Sequence, residues 1–186
     1  MTSDEQAAKS PVLPSDVAPS KRSRLVRSLP KPHEVLIGAP SWAGAMATSA
    51  WLALWLRGDE AAFHIRDILL LYALGGLLAW PISLFAARFA AQERVAETRF
   101  SAFFLCLIAG TVGTTACLFA FDYRIFYAQW HAATGTRIWL FQFLFTSLAA
   151  LYQFLVLGVR LYLPLGLAVL VAASLWLARS DMHQRR

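Results

Sequence analysis

Charge is what this sequence has least of. Only 15% of its 186 residues are Asp, Glu, Lys or Arg, while 58% are hydrophobic. Soluble domains carry about 25% charged residues, so here there is too little polar surface to coat one compact globule. An ordinary soluble enzyme is thereby disfavoured. Cysteine is nearly absent as well. Cys106 and Cys117 are the only two, and their spacing on a helix is about 16 Å of rise, beyond the reach of a disulfide. They read as small packing residues, and no CxxC motif suggests redox work. None of the four His residues falls inside a long apolar run, so a transmembrane bis-His haem site has no ligands. Phosphate loops, nucleophile motifs and metal-ligand pairs are also missing. We therefore assign no catalytic, cofactor or metal-binding residue and read the chain as non-enzymatic.

What is present is apolar sequence in blocks of membrane-crossing length. A bilayer core about 30 Å thick needs about 20 helical residues. Val35 to Leu56, Ile68 to Ala87 and Phe100 to Phe121 each meet that length and contain no Asp, Glu, Lys, Arg or His. Backbone polar groups must bond internally in lipid, and these runs lack period-two alternation, so they are expected to be helices. A fourth block, Ile138 to Ala178, is interrupted only by Arg160. As one helix it would be roughly twice the hydrocarbon thickness, so it must break, and Gly158 to Pro164 is where Gly, Arg and Pro coincide. The fold expected is all-α, an integral membrane bundle of five spans at 35–56, 68–87, 100–121, 138–158 and 162–178, with 179–186 as a basic tail.

Charge and hydropathy disagree about the last span. With Lys9, Lys21, Arg22, Arg24, Arg27 and Lys31 ahead of the first span, the positive-inside rule puts the N-terminus in the cytoplasm. Five spans then place 10 Lys/Arg inside and 7 outside; four spans, with a re-entrant or interfacial end, place 13 inside and 4 outside. Five is preferred because Leu161 to Ala178 has no polar face with which to lie on a surface. Residues 1–34, rich in Pro, Ser and basic residues, are expected to be a disordered cytoplasmic tail. They lack the apolar centre of a cleaved signal, so the first span should act as a signal anchor. The basic excess belongs to this tail rather than to a folded basic face, so no nucleic-acid partner is expected. The use of 14 Arg against 3 Lys, with abundant Ala, points to a GC-rich bacterial genome and hence to the inner membrane.

Two groups of residues stand out as candidate sites. Tyr123, Phe126, Tyr127 and Trp130 share one helical face in the loop Asp122 to Arg137, with a polar back, as in a helix lying at the headgroup boundary. That stripe is either an ordinary aromatic belt or a platform for a partner. Gln142, Thr146, Ala149 and Gln153 form a neutral polar seam along the fourth span, suited to interhelical hydrogen bonds or to a solute path. Small residues recur every fourth position at Gly75, Ala79, Ser83 and Ala87, and again at Ala109, Gly113 and Cys117, which lets helices approach closely. His64, His131 and Asp122 in outer loops could form an outer-face catalytic or metal site, but lack ligand spacing.

The expected function is association: an accessory or assembly subunit of a membrane complex, with the bilayer and a membrane-protein partner or a second copy as its partners. The alternative is a small transporter or lipid-handling protein using the seam between spans three and four.

Overall fold

The computed structural model describes residues 21–59, 64–92 and 95–183, with side chains described for 24–59, 64–92 and 95–180. Among these residues the chain is all-helical: α1 Lys21–Ser28, α2 Pro32–Trp55, α3 Ile65–Ala90, α4 Ala96–Tyr127, α5 Arg137–Gln153 and α6 Leu165–His183. Three apolar stretches are long enough to cross a membrane: α3, α4 with its 3₁₀ extension to Trp130, and α5 with its continuation to Tyr162. The 24 residues of α2 match that length but include Gly38, Pro40, Ser41, Gly44, Thr48 and Ser49. The apolar part of α6, Leu165–Ser180, is shorter.

Local chemistry sets the helix ends. Pro32 opens α2, where a missing N–H costs nothing, and Glu34 reaches back to accept the Lys31 amide at 2.8 Å. Gly58 and Gly135 adopt φ of 74° and 90°, a left-handed conformation that favours glycine, and turn the chain after α2 and before α5. Thr136 caps α5 by accepting the Trp139 amide at 3.1 Å. Pro81 lies within α3, which runs on through it to Ala90.

The core is α3 packed between α2 and α4. Its adjacent glycines face different neighbours. A Cβ on Gly76 would stand 3.1 Å from both the Ala43 Cα and the Trp42 carbonyl of α2, while one on Gly75 would overlap the Thr115 hydroxyl of α4. Gly110 of α4 meets Ser83 in the same way. The first small-residue stripe is thus internal, with Gly75, Ala79, Ser83 and Ala87 all buried. The second faces outward: Ala109, Gly113 and Cys117 are exposed, and nothing lies within 4 Å of where a Gly113 Cβ would be. Cys106 is half-buried and Cys117 exposed, so only the former packs against the core.

The break in the long C-terminal block falls where Gly, Arg and Pro coincide. After α5 the backbone widens into a π turn, Phe154–Gly158, and tightens into a 3₁₀ turn, Val159–Tyr162, before a cis Leu163–Pro164 bond. Side chains of other helices receive this joint. Tyr72 donates to the Gly158 carbonyl at 2.6 Å, and Ser49 donates to the Leu161 carbonyl at 3.2 Å while accepting the Gly166 amide at 2.9 Å. Ser49 lies six residues before the end of α2 and Tyr72 seven residues into α3, so the joint sits only about 10 Å inside those helix ends. From there α6 runs back beside α2, and its Trp176, Leu177 and Ser180 share a groove with His33 and Glu34 at the α2 start. Both described chain ends thus lie at one end of the bundle.

Three expectations are corrected. Residues 21–34 are not a disordered tail: Lys21–Ser28 is helical and α2 begins at Pro32. Polar bonds hold α1 in place. Gln92, at the end of α3, accepts from Arg24 Nε at 3.1 Å and donates to the Arg24 carbonyl at 2.7 Å and to Ser28 Oγ at 2.6 Å. The disorder expected for residues 1–20 lies outside the described residues. The stretch Asp122–Tyr127 is not a separate interfacial helix but the unbroken end of α4, because no helix-breaking residue intervenes. Likewise α6 continues through His183, into the segment expected to be a tail.

Candidate functional site

At the far end of the bundle, away from α1, the four predicted aromatics do come together. Tyr123 and Tyr127 are half-buried, while Phe126 and Trp130 are about three-fifths exposed, at 60% and 61%. Their rings form the top of a longer column. Trp130, Tyr127, Tyr123, Phe119, Phe154, Tyr72 and Tyr162 follow one another with centroid separations from 4.5 to 6.4 Å. The column therefore links the exposed end of α4 to the buried α5–α6 joint. Beside it the Arg124 guanidinium lies 3.9 Å from the Phe143 ring centroid and 5.5 Å from that of Trp139, fastening α5 to α4 by cation–π attraction. The 35 residues from Ala96 to Trp130 span about 52 Å, well over the thickness of a bilayer core of about 30 Å.

The polar seam of α5 does not converge on another helix. The Gln142 side chain accepts the Ala132 amide at 2.8 Å and ties down the preceding loop. Thr146 donates to carbonyls of its own helix, and Gln153 is exposed. Only 11% of the most apolar stretch of this helix is buried in the chain, against 39% for α3.

Buried polar contacts between helices lie elsewhere. Trp42 Nε1 donates to Thr111 Oγ1 at 3.0 Å, the Thr115 hydroxyl donates to the Thr111 carbonyl at 2.8 Å, and Tyr162 donates to Thr115 Oγ1 at 2.7 Å. One indole, two threonines and one tyrosine thus join α2, α4 and the joint. The sequence pattern does not reveal the Trp and Tyr donors, because their amphipathic rings read as apolar.

At the α1 end, Arg88 grips Glu34 with both terminal nitrogens, at 2.7 and 2.8 Å, the two side chains being 11% and 18% exposed. The Arg88 hydrogen bond, with help from the Lys31 amide and the nearby positive charges, outweighs burial and holds the Glu34 carboxyl below its ordinary value of 4.5. Trp80 Nε1 donates to the Glu34 carbonyl at 3.1 Å. This pair was legible in principle: Glu34 opens the first apolar run and Arg88 closes the second, so an antiparallel hairpin brings them level. Below it, α2, α3, α4 and α6 enclose a groove of about 670 Å³.

His64, Asp67 and Asp122 line a second groove of about 540 Å³, to which His131 does not belong. Among the described residues no group of three or more His, Cys, Asp or Glu is placed to hold a metal ion. No protein-family model matches the chain, and no curated protein or solved structure is significantly similar to it.

Proposed function

We propose that this is a bacterial inner-membrane protein that works by association, as an accessory or assembly subunit of a membrane complex. The observation that carries the reading is the outward face of α4, where Leu105, Ala109, Gly113, Cys117 and Phe121 are all exposed. A face turned to lipid gains nothing from small residues, whereas close helix packing requires them. Gln153 adds support: an exposed amide on an apolar helix at membrane depth needs a partner, and it makes no hydrogen bond among the described residues. The exposed Phe126 and Trp130 would extend the same association beyond the bilayer.

The topology we propose has α2, α3 and α4 each crossing once and α5 with α6 making one broken crossing, so that both chain ends are cytoplasmic. Two supports are independent. One is the return of α6 to the α1 end; the other is the charge distribution, 13 Lys/Arg inside against 4 outside, which follows the positive-inside rule better than five crossings do.

Extraction into native nanodiscs followed by mass measurement tests the association. The wild type should run well above its 20.6 kDa chain mass, and Gly113→Leu should shift it toward the monomer without loss of helicity. A chain of monomeric mass in nanodiscs, unaffected by Gly113→Leu, would sink the proposal. For the topology, a C-terminal tag should resist labelling from outside intact cells.

A further inference from the structure

The short helix α1 divides its residues among three sides. Arg24 and Ser28, one turn apart, face α3, where Gln92 bonds both and Ser28 is fully buried. At about 100° per residue, Leu25 and Leu29 fall on one flank of that docked side with Val26 beyond them, and Arg27 falls on the other flank. The exposures follow this arrangement. Leu25, Val26 and Leu29 are 46%, 63% and 59% exposed, and Arg27 is exposed as well. Among the described α-helices α1 separates apolar from polar residues most strongly, yet its apolar flank has no cover within the chain.

We propose that α1 lies in the membrane interface at this end of the bundle, with Leu25, Val26 and Leu29 among the first carbons of the acyl chains and Arg27 turned toward the headgroups and water. Two observations name the bilayer as the cover. The first is level. Gln92, which holds α1, stands two residues past the end of α3, a helix long and apolar enough to cross a membrane. The 26 residues of α3 rise about 39 Å against a hydrocarbon core about 30 Å thick, and the charges gathered at this end, Glu34, Arg88, Arg24 and Arg27, belong where hydrocarbon stops. The second is continuity. Leu36 and Ile37 in the first turns of α2 are exposed, as is Phe89 near the end of α3, over whose ring the Arg24 guanidinium rests at 5.7 Å. The apolar flank of α1 thus adjoins the apolar surface of the crossing helices. Interfacial helices bury such a flank about 5–10 Å into the boundary between headgroups and acyl chains, and the Gln92 bonds set the angle at which α1 presents it. The proposal rests on α3 crossing the bilayer, as in the topology above, and goes beyond association through α4 by giving the chain a peripheral hold on one leaflet.

The test uses the full chain carrying Cys106→Ala and Cys117→Ala, in phosphatidylcholine nanodiscs, with an environment-sensitive fluorophore on one introduced cysteine at a time. The positions are Leu25→Cys, Val26→Cys, Leu29→Cys and Arg27→Cys, with Leu78→Cys, exposed at the middle of α3, as the reference. Lipids brominated near the headgroup end of the tail should quench the three apolar positions of α1, and aqueous iodide should quench only Arg27→Cys. Leu78→Cys should answer best to bromines near the tail's end. If Leu78→Cys escapes the bromines, α3 does not cross and both readings fall. If it is quenched while the apolar positions of α1 answer to iodide alone, this proposal falls and the crossing stands. Apolar positions shielded from both quenchers would mean a cover of protein, such as a second copy, and would equally overturn it. Replacing Leu25, Val26 and Leu29 together by Ser should speed tryptic cleavage after Arg27 in nanodiscs while α2–α4 stay protected. Unchanged cleavage would also overturn the proposal.

Discussion

Glu34→Gln is the perturbation whose cost follows most directly from the geometry. The wild-type carboxylate accepts two hydrogen bonds from Arg88 and one from the Lys31 amide. Truncating one member of a fully buried pair costs about 3–5 kcal/mol, and an exposed pair contributes about 0–1 kcal/mol. With side chains 11% and 18% exposed, this pair lies nearer the buried limit, but Gln keeps one acceptor oxygen. We expect a loss of about 2–3 kcal/mol, read by equilibrium unfolding in mixed micelles. The pH dependence supplies a second readout. Because the folded chain holds Glu34 below its ordinary 4.5, it binds fewer protons than the unfolded chain in the acid range. The contribution of Glu34 is therefore complete above the unfolded value and is lost as pH falls through the folded one. Glu34→Gln should remove that part of the acid transition. A Glu34→Leu, Arg88→Met double variant should recover most of the stability, since an apolar pair avoids burying a lone charge. Wild-type stability together with an unchanged acid transition in Glu34→Gln would refute the assignment of this pair.

Two further outcomes separate the internal surfaces from the outward one. Gly75→Val should destabilise the bundle by about 1–3 kcal/mol or more, because its side chain would overlap Thr115, whose Cα would stand 3.2 Å from the new Cβ; the same change at Gly113, which faces open space, should leave unfolding in detergent within about 1 kcal/mol. Tyr72→Phe and Ser49→Ala, each removing bonds to the α5–α6 joint, should cost about 0.6–2 kcal/mol apiece and increase proteolysis between Gly158 and Pro164 while α2–α4 stay protected.

Much of the helical layout could be read from the sequence, and the reasons differ by element. Spans α3 and α4 stand out because a stretch that must satisfy its backbone in lipid cannot contain charge, and Ile68–Ala87 and Phe100–Phe121 contain none. The joint at Gly158–Pro164 was legible because three different breakers coincide there. The direction of α6 was not, since hydropathy measures whether a segment prefers lipid and says nothing about the depth at which it starts. The charge distribution did contain a signal, and it points the same way as the path of α6. The docking of α1 was hidden because it rests on Gln92 bonding Arg24 and Ser28 from a distant segment, with Leu25, Val26 and Leu29 left exposed. Of the candidate sites, the aromatic face could be found from its i, i+3, i+4 and i+7 spacing. The groove could not, because it depends on two helices pinned together at one end only.

The α5–α6 joint also bears on how the chain is built. Its irregular backbone exposes carbonyls that lipid cannot satisfy, and the groups that satisfy them are Tyr72 and Ser49, on helices made much earlier in synthesis. Those acceptors become tolerable at membrane depth only once α2 and α3 stand in place. Helices α2 and α3 are therefore the frame, and the joint is the part that depends on it: a change that displaces Ser49 or Tyr72 leaves the joint's carbonyls unsatisfied.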